Sequence, residues 1–250
     1  MKISVAVITF NEENNIERCL KSVALLADEI IVVDSLSSDK TVQIAQANGA
    51  TTIAQKFLGH IEQKNFAIDQ CSNDWVLSLD ADECLSASLL ENLQKIKANL
   101  PVADAFRMAR MTSYCGQWIK HGGWYPDKKV RLINKHKARW GGINPHDKIM
   151  VDGSTKEVKG DIMHYSYHSV EGHLEQAQKF STITANHLYE LNKKTNFFRI
   201  YFKPFIRFLR DYFFKFGFLD GKYGYTIARI SAKAVYWREI KLKQLHEQGA

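Results

Sequence analysis

The chain has 250 residues, 45% of them hydrophobic and 24% charged, which is the composition of an ordinary globular protein with a substantial core. Its formal charge of +7 at pH 7 indicates an anionic partner, which on charge alone could be a nucleic acid, a nucleotide diphosphate or a lipid surface. The four cysteines show no C-x-x-C spacing and no dense framework, so neither a zinc ribbon nor a disulfide-rich secreted scaffold is indicated, and a reducing cytosol fits best.

The first hundred residues alternate short β-branched runs with helical patterns, which is typical of βαβ units and a mainly parallel sheet. Strands are predicted at 3–9, 30–34, 51–54 and 75–79. The spacing of apolar residues predicts helices at 16–26, more weakly at 61–68, and at 86–99, where Pro101 follows the helix. The expected fold class is therefore α/β.

The second half of the chain changes character. Residues 105–165 are rich in Gly, Trp, Tyr and His, with strand-like runs at 105–112 and 130–133, and are expected to be irregular and to form a site. A helical pattern returns at 170–191. The aromatic and basic tail that follows, if helical after Pro204, suits a helix lying in a membrane interface. The alternative is that its aromatic face packs on the preceding α/β domain or on a second protomer.

Short polar side chains follow three predicted strands. Asn11 and Glu12 follow the first strand, Asp34 and Ser35 end the second, and Asp80-Ala81-Asp82 follows the fourth. Because parallel strands bring their carboxyl ends to one edge, these side chains are expected in one crevice. Paired carboxylates suit Mg²⁺ or Mn²⁺ with further ligands from a substrate diphosphate, whereas polar turns and helix caps are the alternative. Glycine-based nucleotide signatures are absent from the sequence.

Four sequence blocks carry a resemblance to a known family. Thr9-Phe10-Asn11-Glu12, Val32-Val33-Asp34-Ser35, Gln63-Lys64-Asn65 and Asp80-Ala81-Asp82, in this order and spacing, resemble the nucleotide-sugar domain of the family 2 inverting glycosyltransferases. Later stretches, including Pro145-His146-Asp147 and His164-Tyr165-Ser166-Tyr167, are similar to bacterial lipopolysaccharide-core glucosyltransferases of that family. The resemblance implies a GT-A type fold, a Rossmann-like and mainly parallel sheet with a helical, amphipathic C-terminal extension.

The resemblance also implies a division of the chain and a set of roles. Residues 1–115 would form the nucleotide-sugar-binding half of the catalytic domain, 116–195 its acceptor side, and 196–250 the helical extension. It implies a UDP-sugar donor held by Thr9, Asn11, Glu12, Asp34, Ser35, Lys64, Asp80 and Ala81. Within this set, Asn11 or Glu12 would lie near the uracil with Asp34. Lys64 would lie beside the nucleotide, and Asp80 would point toward the ribose.

The metal ligands and the base are the remaining roles. Asp82 is expected to bind Mg²⁺ or Mn²⁺, and His164 is either a ligand of the metal or of a phosphate, or a buried core histidine. Inverting transfer needs a base for the acceptor hydroxyl. Asp147 is that candidate, because similar enzymes carry an acidic residue after the histidine. Glu83 and His146 are rivals, and pairing with Lys148 or Arg139 would make Asp147 merely structural.

The expected activity is a single transfer of glucose from UDP-glucose to a lipid-linked or lipopolysaccharide-core acceptor. The Q-x-x-R-W signature of processive synthases is absent, since His136 stands three residues before Arg139-Trp140. No signal peptide or apolar span is recognised, so a cytoplasmic protein, peripheral on the inner face of the bacterial inner membrane and without a nucleic-acid partner, is expected. Alternatives are another nucleotide sugar for a capsule or other glycan, or a non-catalytic nucleic-acid or membrane-binding module.

Overall fold

The computed structural model describes residues 1–99, 101–143 and 146–248, except for the side chains of Ile143 and His146. The chain forms two compact units. The first unit consists of Met1–Met111 and Asp127–Tyr165, and the second consists of Thr112–Pro126 and the described residues from Ser166 onward. The predicted division at 115 and 195 assigns functions to stretches of sequence and stays a prediction.

The first unit begins with alternating strands and helices. These are β1 (Ile3–Thr9), α1 (Ile16–Val23), β2 (Glu29–Asp34), α2 (Thr41–Ala47), β3 (Thr51–Ala54), α3 (His60–Asp69) and β4 (Trp75–Asp80). Strand β1 lies between β2 and β4, β3 flanks β2, and all four strands are parallel. Each helix provides the crossover that a parallel pair requires. The predicted parallel α/β sheet is confirmed.

The chain continues with strands that are mostly antiparallel. They and one helix are β5 (Glu83–Leu85), α4 (Ala87–Ala98), β6 (Ala105–Tyr114), β7 (Gln117–Trp118), β8 (Asp127–Asn134), β9 (Ala138–Ile143), β10 (His146–Val151) and β11 (Thr155–Tyr167). The main sheet has the order β3-β2-β1-β4-β8-β6-β11-β5, with β7 paired to β6, while β9 and β10 form a separate hairpin.

The expectation of irregular structure over 105–165 was therefore wrong for most of this range, whereas the strand-like runs at 105–112 and 130–133 lie within β6 and β8, and residues 119–126 are irregular. Three of the seven glycines in this range, Gly141, Gly142 and Gly160, lie inside strands. At Gly160 the φ angle is +107°, and an added Cβ would lie 2.5 Å from Leu89 N of α4. Only glycine lets β11 approach the helix this closely without strain.

The sheet of the first unit is covered on both faces. Alternate residues of β1 enter different cores: Val5 packs with residues of α1 and α4 such as Leu20 and Leu93, whereas Ala6 packs with Ile68 of α3. A sheet that is buried on both faces explains why its strands read as nearly continuous apolar runs. Polar side chains of these strands are consequently concentrated where the strands end.

The second unit is mainly helical. It contains α5 (Val170–Glu190), α6 (Phe197–Leu209), a π-helical turn (Arg210–Phe214), a 3₁₀ turn (Gly217–Asp220) and α7 (Gly221–Gln248). The Asn196 side chain accepts a hydrogen bond from Arg199 N and caps α6, so this helix starts well before Pro204 and contains it. The helix that the sequence suggested after Pro204 begins earlier, at Phe197, and ends at Leu209. Among the described helices, none is long and apolar enough to cross a membrane.

Candidate functional site

The carboxyl ends of β2, β1 and β4 bring three polar side chains of the first unit together. In the sheet register Thr9 lies beside Asp34, and the neighbouring Ile8 lies beside Asp80. Thr9 and Asp34 are buried, with 4% and 3% of their surface exposed. These strand ends lie together at one edge of the sheet, as predicted.

The loops that follow β1 and β2 are tied to each other. Asn11 adopts a left-handed conformation with φ +53°, and its Oδ1 accepts a hydrogen bond from Ser38 N at 2.9 Å. Asn11 N donates to Ser37 Oγ at 2.8 Å, and Ser37 in turn donates to Asp34 from both N and Oγ. Asn11 and Ser38 thus join two loops, and α1 and α2 begin beyond them at Ile16 and Thr41.

Lys64 of α3 is a buried cation between two carboxylates. Its Nζ lies 2.8 Å from Asp147 Oδ2 on β10 and 3.4 Å from Asp80 Oδ1 at the end of β4. The ammonium also lies 4.2 Å from the centre of the Trp140 ring. Because an isolated buried charge is costly, these contacts are what permit Lys64 to remain only 6% exposed.

Arg131 of β8 forms a second buried cationic centre. Its Nη2 lies 2.7 Å from Glu83 Oε1 and 3.5 Å from Asp80 Oδ2. Glu83 also accepts hydrogen bonds from Arg110 Nη1 at 3.2 Å and from Asp80 N at 3.1 Å. Both Glu83 oxygens are therefore engaged in a side chain with no exposed surface. This arrangement disfavours Glu83 as the base and makes it the support of two arginines.

Asp80 lies between these two cations. Burial alone would raise the pKa of its carboxyl, but Lys64 and then Arg131 outweigh burial and hold that pKa well below its usual range. Asp80 is thus ionised at any physiological pH. Its Oδ1 has an ion-pair contact with Lys64 but no hydrogen bond of good geometry.

A separate pair is formed by Asp82, two residues after Asp80 in the chain, and His164 of β11. His164 Nε2 lies 3.1 Å from Asp82 Oδ2, and both side chains are partly exposed. The His164 side chain therefore faces a carboxylate, unlike a histidine enclosed in an apolar core. One carboxylate and one imidazole suit Mn²⁺, and carboxylates also suit Mg²⁺.

The protein side chains alone would give a metal ion an incomplete set of ligands. Among the residues that the structure describes, no group of three or more His, Cys, Asp or Glu side chains could hold a metal. Asp82 and His164 would supply two ligands, so the others would have to come from water and substrate. That donor set fits an ion that binds together with a diphosphate.

Buried polar atoms without a hydrogen-bond partner are concentrated around this edge. Within the described ranges they include Thr9 Oγ1, Gln63 Oε1, Asp80 Oδ1 and two guanidinium nitrogens of Arg131. Nearly all buried polar atoms of a folded protein have a partner, and exceptions are typical of functional sites. Gln63 Nε2 donates to Ser35 Oγ at 3.1 Å, which links this residue to the loop after β2.

Glu12 and Ala81, two of the residues expected at the site, have contacts outside the charged centre. Glu12 Oε2 accepts a hydrogen bond from Asn15 at 2.7 Å, and Ala81 is buried with its N–H bonded to Ile8 O. Arg139 pairs with Asp69 and not with Asp147. Pro145 and the side chain of the rival base His146 lie outside the described residues.

Trp140 is a site residue that the sequence did not indicate. Its ring faces Lys64, the Arg131 guanidinium lies 5.2 Å from the ring centre, and its indole N–H donates to Ser78 Oγ at 3.2 Å. Asn65 exchanges two hydrogen bonds with the Trp140 backbone. These contacts join residues far apart in sequence, and the only local signal was an Arg-Trp pair.

Comparison with known proteins gives matches over most of the chain. Residues 4–150 match the family model described as glycosyl transferase family 2. A protein called an uncharacterized glycosyltransferase from Rickettsia typhi is 35% identical over 98% of this chain and 87% of its own length. A lipopolysaccharide core biosynthesis glycosyltransferase of Rhizobium meliloti is 29% identical over 95% of this chain and 93% of its own length.

Solved structures resemble this one in fold. Glucosyl-3-phosphoglycerate synthase from Mycobacterium tuberculosis, in complex with Mn²⁺, UDP and glucosyl-3-phosphoglycerate, aligns with a TM-score of 0.50 at 16% identity, over 78% of this chain and 81% of its own. Mannosyl-3-phosphoglycerate synthase from Rubrobacter xylanophilus aligns with a TM-score of 0.51 at 14% identity, over 79% and 77%. The GT-A type fold expected from the sequence is confirmed.

Proposed function

Because the chain belongs to glycosyl transferase family 2 and is therefore a glycosyltransferase, we propose that it transfers one glucose from UDP-glucose to a sugar of the lipopolysaccharide core, with inversion at the anomeric carbon. The observation that carries this proposal is the cluster of buried charges at the strand ends, where Lys64 and Arg131 hold Asp80 beside Asp82 and Asp147. The Rhizobium relative's name supports the acceptor class.

We assign the nucleoside to the crevice between the loops after β1 and β2. Asn11 and Asp34 are already fixed by hydrogen bonds from Ser37 and Ser38, so little ordering is lost when a uracil binds there. Asp80, kept ionised by its two cations, is suited to accept hydrogen bonds from ribose hydroxyls. Thr9, Ser35, Glu12 and Ala81 would complete the walls of this half of the site.

Asp82 and His164 are the residues that would hold Mg²⁺ or Mn²⁺. When bound, the ion would neutralise the diphosphate that leaves the sugar. The Mycobacterium synthase of similar fold was crystallised with Mn²⁺ and UDP, which makes Mn²⁺ the first ion to test.

Asp147 is assigned as the base that takes the proton of the acceptor hydroxyl while that oxygen attacks the anomeric carbon. Lys64 Nζ lies 2.8 Å from Oδ2 of Asp147 and would hold the carboxylate in one orientation. Oδ1 has no partner among the described residues and is the oxygen assigned to the proton. Since inversion proceeds by one displacement, no second nucleophilic carboxylate is needed.

The test is release of UDP from purified protein with UDP-glucose, UDP-galactose, UDP-N-acetylglucosamine or GDP-mannose, each with Mn²⁺, Mg²⁺ or a chelator. We expect UDP-glucose to be preferred and the chelator to abolish turnover. Asp82→Asn should abolish metal-dependent turnover, whereas the matched change at exposed Asp152 should not. A higher rate with another donor would indicate a transferase for a capsule or other glycan instead. Turnover that persists in the chelator would contradict the proposed metal requirement.

The acceptor is tested in cells. Mass spectrometry of the lipopolysaccharide core, with the active protein and with Asp147→Asn, should differ by one hexose. Such an acceptor is anchored in lipid, so we propose that the protein works as a peripheral protein on the cytoplasmic face of the inner membrane. An unchanged core would contradict the proposed acceptor even if UDP-glucose is hydrolysed.

A further inference from the structure

The net positive charge of this chain is located in one segment. Residues 196–248 contain eleven Lys and Arg against four Asp and Glu, so this segment accounts for the whole formal charge of +7. Three of its four acidic residues, Asp211, Asp220 and Glu239, are buried. The charges that it presents to solvent are consequently almost all positive.

The same segment exposes large apolar side chains. Phe197, Phe205 and Phe214 are 72%, 59% and 78% exposed, and several of their neighbours on α6 and the two following turns are exposed as well. Singly scattered exposed apolar residues are ordinary, but a continuous set rimmed by polar residues marks a binding surface. Aromatic and basic residues together are typical of a surface that contacts an anionic bilayer.

A groove lies within this surface, between α6 and α7 of the second unit. It has a volume of about 290 Å³ and an almost wholly apolar lining that includes Ile200, Pro204, Phe208 and Ala232. Arg229 and Lys233, one turn apart on α7, also line it. In the described part of the chain, no carboxylate lies within ion-pair distance of either cation.

We propose that this groove binds an anionic phospholipid, with part of one acyl chain on the apolar floor and the lipid phosphate on Arg229 and Lys233. The volume lies just below the range of ligand pockets, roughly 300–1,000 Å³, and so suits only part of one acyl chain. The site deepens the membrane association proposed above. It would hold one lipid molecule of the bilayer in addition to the surface attraction of the segment.

Other occupants fit the groove less well. A nucleic acid matches the positive charge but has no aliphatic chain for the floor of the groove. A second copy of the chain would bring another segment of charge +7 against this one, and like charges that face each other oppose association. The combination of an apolar floor and two cations that have no carboxylate partner among the described residues favours the phospholipid.

The experiment measures binding of dihexanoyl-phosphatidylglycerol, below its micelle concentration, to the full chain by calorimetry. The double variant Arg229→Gln, Lys233→Gln should bind at least tenfold more weakly, since each basic residue near an anionic lipid contributes roughly fivefold. The matched variant Lys222→Gln, Lys243→Gln removes the same charge at the two ends of α7 and should bind as the native chain does. Equal loss in both pairs would overturn the groove as a site.

A second variant tests the acyl chain separately. Ala232→Trp should fill the groove and abolish binding of the short lipid while leaving salt-sensitive adhesion to phosphatidylglycerol vesicles. Circular dichroism shows whether the tryptophan variant folds. If it does not, the smaller change Ala232→Leu replaces it and should weaken binding of the short lipid. Retained binding in a folded Ala232→Trp protein would contradict the proposal.

Three further measurements test alternative occupants of the groove, and a fourth tests the catalytic site. Equally tight binding of inorganic phosphate, preferential binding of single-stranded RNA, or a dimer that blocks the lipid in light scattering would each overturn the phospholipid assignment. Hydrolysis of UDP-glucose should be unchanged in all groove variants. A failure of the lipid site is thereby distinguishable from a failure of the proposed transferase activity.

Discussion

The strand ends of the first unit and residues 196–248 of the second unit both concentrate basic side chains, but in opposite surroundings. Lys64 and Arg131 are 6% and 2% exposed, and carboxylates lie against both. Arg229 and Lys233 are exposed and have no acidic partner among the described residues. Charges of the first kind must be matched by the protein itself, whereas charges of the second kind remain available to a ligand.

This difference determines which measured quantity changes when residues of each region are substituted. Removing one partner of a buried ion pair leaves an uncompensated charge and costs about 3–5 kcal/mol of stability. Exposed charges contribute about 0–1 kcal/mol to folding. Substitutions at the strand ends should therefore change turnover or the free energy of unfolding, and substitutions in the C-terminal segment should change binding.

The largest expected effect is on turnover. Asp147→Asn keeps the side-chain volume but removes the base, and kcat should fall about 10²- to 10⁴-fold. The affinity for UDP, measured by thermal shift with Mn²⁺, should change little. Asp152→Asn is the matched control and should keep the native kcat. If UDP affinity fell as much as kcat, Asp147 would be a donor-binding residue and His146 would become the candidate base.

The next effect is on folding. Arg131→Met leaves the fully buried Glu83 without its 2.7 Å partner and should lower the free energy of unfolding by about 3–5 kcal/mol. Arg107→Met is the control, because Arg107 is half-exposed and 3.6 Å from Glu157, and should cost at most about 1 kcal/mol. Urea denaturation measures both. Equal losses would mean that burial of the pair does not decide its contribution.

The sequence predicts these two regions to different depths. Strands β1 and β3 agree with the expected bounds, because β-branched runs favour extended backbone, and in β1 the run is also almost wholly buried. The strand-end rule then places Thr9, Asp34 and Asp80 together without any knowledge of side-chain contacts.

The contacts of the charged centre are not predictable in this way. Trp140 reaches Lys64 and Arg131 only because the β9–β10 hairpin packs against α3, and pairing at that distance depends on the register of several strands. The extent of α6 was also missed, since a proline normally ends a helix and nothing local indicates that packing on α7 overrides this. Tertiary contacts decided both outcomes.

A buried histidine of the second unit provides a pH test of intermediate size. Burial lowers the pKa of His173 from 6.5 to about 4, and its Nδ1 lies 3.0 Å from the Tyr114 hydroxyl. Because His173 binds a proton more readily in the unfolded chain, its protonation destabilises the fold at low pH. The stability is therefore unaffected by this residue above about pH 6.5 and decreases as the pH falls toward 4. The loss by pH 5 should be about 2 kcal/mol.

The control for this test separates His173 from the other histidines. His173→Gln should remove most of the loss in urea denaturation between pH 7 and pH 5, while the same change at exposed His136 should leave it. If both variants lose stability as the native chain does, the acid sensitivity comes from other groups, and burial of His173 does not keep it neutral.

The smallest effect on folding is expected where apolar residues face solvent. Phe214→Ser, at a side chain that is 78% exposed, should change the free energy of unfolding by no more than about 0.5 kcal/mol. The same substitution should weaken sedimentation with phosphatidylglycerol vesicles several-fold, because an aromatic side chain that enters the bilayer interface is lost. Leu25→Ser is the matched control, since Leu25 is 75% exposed in the first unit, and it should change neither quantity. If Phe214→Ser destabilised the fold and left vesicle binding intact, the exposed aromatic residues would serve the structure of the second unit, and the contrast between the two regions would not extend to function.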